Sequence, residues 1–157
     1  MKLLVGLGNL DDKYAHTRHN IGHQFIDRLK QKCPPEIKLG TNDGYMNESG
    51  SSVQRQVNFY KVNLTDFYLV HDDLDLPVGE WRLQFDRGAA GHHGVESVVQ
   101  HLGSQAFWRI RIGIGRPDGE MPIERYVLQK FTPEEKSQID QTIDKIVHDI
   151  TIITQGS

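Results

Sequence analysis

Hydrophobic positions along the chain fall into short runs that switch between two periods. Lys2 to Leu7 is an apolar run that breaks at Gly6-Leu7-Gly8-Asn9, which predicts a buried strand and then a loop. Ile21, Phe25 and Leu29 share one helical stripe within residues 21–32. Cys33-Pro34-Pro35 ends it, because proline disfavours a helical residue before it and has no N–H to donate. Residues 36–50 are rich in Gly, Asn, Asp and Ser and read as loop. Ser51 to Gln54 has capping-box spacing, and Val53, Val57 and Tyr60 continue as a helical face. Phe67 to Val70 predicts a second buried strand, ending in His71-Asp72-Asp73-Leu74-Asp75-Leu76-Pro77. Trp81 to Phe85 alternates as a strand does, and Val95, Val98, Val99 and Leu102 have helical spacing. Trp108, Ile110, Ile112 and Ile114 form one face of a strand, with Arg109 and Arg111 on the other. Thr132-Pro133-Glu134-Glu135 predicts a helix start, and Ile139, Ile143, Ile146, Ile150 and Ile153 then form one long stripe. Strands alternating with helices predict an α/β fold: a single domain over residues 1–157, with a sheet at least partly parallel.

Size and composition agree. A chain of 157 residues supports one sizeable core, and 37% apolar with 25% charged residues is globular composition. No run approaches the roughly 20 apolar residues of a membrane span. The N-terminus lacks the long apolar core of a signal peptide. The single cysteine, Cys33, has no internal partner for a disulfide and reads as a buried or incidental thiol, so the expected location is cytoplasmic. The net charge of -3 at first argues against a nucleic-acid partner. It is unevenly spread: residues 1–62 and 81–116 are each net +3, residues 63–80 net -5, and residues 117–157 net -4. An acidic tail and patch could mask a basic face, or the pattern could be ordinary patchiness.

Several chemistries are absent from the pattern. Gly6-x-Gly8-x-x-Asp11 fails the dinucleotide fingerprint, and no phosphate-binding P-loop, nucleophile elbow or zinc spacing occurs. The acidic run from Asp72 to Asp75 with His71 could ligate a hard cation, but reads better as a solvated turn. What remains is polar residues at strand ends: Asn9, Thr17-Arg18-His19-Asn20, Asp72 and Gly91-His92-His93-Gly94. In α/β sheets the carboxyl ends of parallel strands and the neighbouring helix starts gather at one edge, where ligands bind. A histidine there can act as a base near neutral pH, and an aspartate can hold its ring. An asparagine can donate to a developing oxyanion. Each also has a plain structural reading: His19 beside a helix cap, Asp72 in a turn, Asn9 in an Asx turn. The residues alone reach a His/Asp hydrolytic site or a phosphate site.

Taken in order, the motifs resemble one family. Lys2 to Asn9, Tyr14, Thr17 to Gly22, Tyr45-Met46-Asn47-Glu48-Ser49-Gly50, His71 to Pro77, Gly91 to Gly94 and Arg109 to Pro117 are similar to the bacterial peptidyl-tRNA hydrolases. The resemblance spans nearly the whole chain. It implies a mixed, twisted sheet with helices on both faces, and cleavage of the ester joining a peptide to the ribose of tRNA. It implies no metal, no cofactor and no membrane, with peptidyl-tRNA as partner and a monomeric state. By position, His19 would be the base that activates water and Asp72 its hydrogen-bond partner. Asn9 and Asn47 would position the peptide and the scissile carbonyl, with Tyr14, Met46, His92 and His93 also at the substrate. Arg111 would meet a tRNA phosphate, with Arg82 and Arg87 nearby.

Some positions depart from the family pattern. Leu10 stands where proline usually follows the glycine-asparagine pair, which predicts a less rigid loop. His93 replaces a substrate-contacting asparagine, and its ring can still donate one hydrogen bond, or two when protonated. Gln84 occupies a basic phosphate-clamp position. The stretch from Pro35 to Tyr45 is short, which predicts loss of a strand pair in favour of a loop, and the C-terminus stops early. Two functions stay open: an active hydrolase, favoured by His19, Asp72, Asn9 and Asn47, and a relative that binds RNA with little or no turnover, favoured by the departures.

Overall fold

The computed structural model describes residues 1–155, and side chains through residue 150. Five strands form one sheet in the order β2-β1-β3-β5-β4: β1 (Lys2–Gly6), β2 (Ile37–Thr41), β3 (Phe67–Asp73), β4 (Trp81–Phe85) and β5 (Trp108–Gly113). The first four in that order run parallel, and β4 pairs antiparallel with β5 at one edge. The helices are α1 (Ile21–Leu29), α2 (Ser49–Tyr60), α3 (His93–Leu102), the short α4 (Ile123–Tyr126) and α5 (Pro133–Gln155).

Strand alternation divides the core in two. Leu4, Tyr68, Val70, Ile110 and Ile112 meet α1 and α5 on one face. Leu3, Val5, Phe67 and Leu69 meet α2 and α3 on the other. The predicted stripe on α5 is real: Ile139, Ile143, Ile146 and Ile150 are buried, while the side chain of Ile153 lies outside the described residues. Its start is a reciprocal capping box, in which Glu135 N–H donates to Thr132 Oγ1 and Thr132 N–H donates to Glu135 Oε1.

Two expectations are corrected. Within residues 36–50, read as loop, β2 forms and pairs in parallel with all of β1. Its glycine and half-buried residues hide it from a periodicity count, because its stability comes from backbone pairing at the sheet edge. The capping box at Ser51 is not used: α2 begins two residues earlier, after a 3-10 turn at Met46–Glu48, and Ser51 lies in the first helical turn.

The connections place the ligand edge. The crossover from β1 to β2 goes one way along the sheet, and the crossover from β2 to β3 returns past β1. Right-handed crossovers in opposite directions put α1 and α2 on opposite faces. The strand order therefore reverses at β1 and β3, and a crevice opens beyond their carboxyl ends. At this point α1 lies directly on backbone. A Cβ on Gly22 would sit 2.5 Å from Leu7 N and Val70 O, and one on Gly6 would strike the Gly22 carbonyl. That contact fixes the start of α1, and with it His19, over the end of β3.

Gly22→Ala should therefore destabilise the fold by about 1–3 kcal/mol or more, since backbone on both sides must shift. Urea unfolding measures this, and an unchanged midpoint would contradict the packing.

Candidate active site at the strand ends

Asp72, the sixth residue of β3, is 2% exposed. A bare carboxylate there would be strongly disfavoured. Two rings satisfy it. His19 Nδ1–H donates to Oδ2 at 2.7 Å, and His92 Nε2–H donates to Oδ1 at 2.8 Å. His19 comes from the 3-10 turn before α1, and His92 is the N-cap of α3. The His92 ring is committed at both nitrogens, because its Nδ1 accepts from Val95 N–H at 3.2 Å. His19 differs. Its Nε2 has no partner among the described residues, and the ring lines a cleft of about 710 Å³.

Burial opposes charge on the His19 ring, but the adjacent Asp72 carboxylate and its hydrogen bond outweigh this and leave the pKa raised. Burial likewise acts to raise the Asp72 pKa, yet the two rings hold the carboxyl far below the usual range. Behind them, His71 is buried and held neutral by desolvation and by the nearby His92 and Arg109. Its Nδ1–H donates to the Asp72 carbonyl at 2.7 Å, and its Nε2 has no hydrogen-bond partner.

The donor atoms of His19, Asp72 and His92 lie within 4.8 Å of one another, a spacing that could hold a metal ion. Both carboxylate oxygens are already engaged by ring N–H donors, so the set forms a complete hydrogen-bonded triad as it stands. The acidic run is only partly the solvated turn expected: Asp72 and Asp73 end β3, Asp73 bonds Arg111, and the turn begins at Leu74, where Asp75 bonds Arg116 and its N–H donates to Asp73 Oδ1.

The loop after β1 supplies the opposite wall. Asn9 is buried, and its Oδ1 accepts from Met46 N–H at 2.8 Å, which leaves Nδ2 as the amide's free donor. Tyr14, Met46, Asn47, His92 and His93 all line the cleft with Asn9, His19 and Asp72. Ile123, Val127 and Leu128 give the cleft an apolar side, and Tyr45 also lines it. All eight residues anticipated at the centre and the substrate therefore converge. The three anticipated phosphate contacts do not line this cleft. Arg82 is exposed on β4, beside Glu80. Arg87 lies partly buried in the following loop, with its carbonyl accepting from Arg109.

Arg111, expected to meet a phosphate, is 5% exposed, with Nε on Asp73 Oδ2 at 2.6 Å and Nη1 bonded to Gln84. Arg109, on the same face, is 1% exposed, and burial with Arg111 and Arg87 nearby brings its pKa down to about 10. Cys33 matches the inert reading: burial pushes the thiol's pKa up, and Sγ contacts the Pro34 and Ile37 carbonyls.

Three supporting residues have no role assigned from the sequence: Arg18 and Asn20 stand there only as part of the polar run before α1, and Asn42 is not singled out. Arg18 stacks on Tyr126, 4.0 Å from the ring centroid, and bonds Tyr126 O and Glu135. Asn20 and Asn42 grip the loop that carries Asn9. Nothing in their spacing signals this role, because their partners are backbone atoms from another element.

Fold and site together define an α/β domain of hydrolase type, with a carboxylate-held imidazole at the switch point of the sheet. The family model described as peptidyl-tRNA hydrolase matches residues 3–157. A peptidyl-tRNA hydrolase of Bacillus cytotoxicus is 43% identical, over 92% of this chain and 88% of that protein. One from Geobacillus kaustophilus is 40% identical, over 91% and 87%. The crystal structure of an Arg119Gln mutant of peptidyl-tRNA hydrolase from Acinetobacter baumannii superposes with a TM-score of 0.91 at 34% identity, covering 99% of this chain and 89% of that one. The chain belongs to the peptidyl-tRNA hydrolase family.

By NMR, the His19 ring should titrate above the ordinary histidine value of about 6.5. Asp72→Asn should bring it below that value, because burial remains while the opposing charge is lost. A His19 pKa that does not fall in Asp72→Asn would refute this electrostatic account.

Proposed function

We propose that the chain hydrolyses the ester between peptide and tRNA in peptidyl-tRNA and so returns free tRNA. The observation that carries this reading is the open Nε2 of His19, facing the cleft while Nδ1 is tied to Asp72. Neutral His19 takes a proton from a water at Nε2, and the water oxygen attacks the ester carbonyl carbon. Negative charge collects on the carbonyl oxygen, where the free Nδ2–H of Asn9 donates to it. Collapse breaks the bond to the ribose oxygen, and His19 returns the proton to that leaving group. Asp72 favours the imidazolium formed between these steps and keeps Nδ1 as the protonated nitrogen. His92 holds the other carboxylate oxygen, so the charge stays aimed at His19.

Asn47 and His93 line the cleft where a peptide backbone would run, and both can donate hydrogen bonds to it. Tyr14, Met46, Val127 and Leu128 supply apolar contact. We assign tRNA phosphate contact to Arg82, exposed on β4, and to the partly buried Arg87 in the loop after it, and leave Arg111 as a strut between Asp73, Gln84 and the sheet. Phosphate neutralisation supplies salt-sensitive affinity that is independent of the peptide.

On N-blocked aminoacyl-tRNA in excess chelator, the wild-type protein should turn over, and His19→Ala should lose about a hundredfold or more in kcat. Full activity in His19→Ala would defeat the mechanism, and a wild-type protein that binds tRNA without cleaving it would establish the binding reading instead. The acid limb of the rate profile follows the base: activity should fall as pH drops through the raised His19 pKa.

Binding of tRNA should weaken steadily as salt rises, with a smaller slope in Arg82→Ala plus Arg87→Ala. A slope unchanged by that double substitution would remove these two residues from the interface.

A further inference from the structure

We propose that Asn42 is a positioning residue for the reaction: it holds the loop after β1 so that the Asn9 amide is aimed at the substrate carbonyl. The inference rests on the role given to Asn9 above.

Asn42 follows β2 and is 0% exposed. Its side chain reads both backbone groups of Gly8, with Gly8 N–H donating to Oδ1 at 2.9 Å and Nδ2–H donating to Gly8 O at 2.7 Å. Asn20, at the start of α1, does the same one residue on: Asn9 N–H donates to its Oδ1, and its Nδ2–H donates to Asn9 O, both at 2.8 Å. Leu10 N–H then donates to Gly44 O at 3.0 Å, and Met46 N–H to Asn9 Oδ1 at 2.8 Å. Two buried amides therefore grip consecutive residues from opposite sides, and the segment 42–46 zips along the loop. Every backbone donor from Gly8 to Leu10 is satisfied.

The same contacts explain how the loop is rigid with Leu10 where the family pattern has proline. Leu10 is 60% exposed and packs into no core cluster, so it does not fix the turn. Rigidity comes from the amide clamps. Gly8 is seated closely between them, since a Cβ there would lie 2.8 Å from the His23 ring and 2.9 Å from Asn20 Cγ. Asn42 is itself oriented by His23, whose Nε2–H donates to Oδ1 at 2.7 Å. Burial keeps the His23 pKa low, which suits a neutral ring with one donor at this nitrogen. The orientation of Asn42 is thus specified: Oδ1 takes two donors, and Nδ2 has the Gly8 carbonyl. Asn9 leaves this clamp with Oδ1 used and Nδ2 free, and it lines the same cleft as His19.

The test is a double-mutant cycle on N-blocked aminoacyl-tRNA, with kcat and KM measured separately. Asn42→Asp is nearly isosteric and keeps the acceptor for Gly8 and His23, but sets a carboxylate oxygen against the Gly8 carbonyl. Its kcat should fall about tenfold or more, as expected for a misplaced reacting group, with KM little changed. In an Asn9→Ala background the same substitution should cost almost nothing, because the amide it aims is gone. A merely structural role would lower the melting temperature without this coupling. Wild-type kcat in folded Asn42→Asp, or an equal loss in both backgrounds, would overturn the proposal. If Asn9→Ala alone keeps wild-type kcat, the role of Asn9 fails first, and that arm identifies which reading was wrong. Should Asn42→Asp not fold, Asn42→Ser enters the same cycle with the same expected outcome.

Discussion

A carboxylate out of contact with water has to be compensated, and Asp72 sets that requirement for the whole strand-end edge. Its two oxygens need two donors of the right reach, and no neighbour along the chain provides them. One comes from a segment 53 residues away and the other from 20 residues away. The fold makes this possible by laying α1 against bare backbone at Gly6 and Gly22, and by using His92 both as a ring donor and as the cap of α3. The pairing also sets the two histidines apart. His92 is fully engaged, whereas His19 retains one open nitrogen. One buried charge thus yields one structural imidazole and one available for chemistry.

The periodic elements were readable because their periodicity comes from burial itself. Phe25 and Leu29 on α1, and Ile139 to Ile150 on α5, repeat at the spacing that faces a sheet. β2 was not readable. A five-residue edge strand with Gly40 in it stands by backbone pairing, which leaves little trace in side-chain pattern. The alternation on β5 was read correctly, but the burial of its arginine face was not visible in the pattern. Arg109 and Arg111 do lie opposite the isoleucines, yet that face is shielded as well, and Arg111 is occupied by Asp73 and Gln84.

The site was legible to different depths. Strand ends and helix starts gathered His19, Asp72, Asn9, His92 and His93 on one edge, while Tyr14, Met46 and Asn47 came from the family resemblance. The supporting layer stayed hidden. Asn20 and Asn42 work through backbone atoms that only the folded chain brings close; Asn20 stood in the polar run before α1 without a role, and Asn42, alone in a polar stretch, looks like any turn residue. The loop expected to be loose around Leu10 is held firmly for the same reason.

Arg18 and His19 also carry a mechanical consequence. Arg18 N–H donates to Gln129 O, His19 N–H donates to Val127 O at 2.8 Å, and Thr17 bridges to Lys130. The residue before the open imidazole, and that residue itself, are thus stitched to the segment forming the apolar side of the cleft. Pulling that side outward would tear at the backbone of His19. Opening the cleft there and misaligning its histidine amount to one movement, so the histidine is mounted on a wall that cannot shift without it.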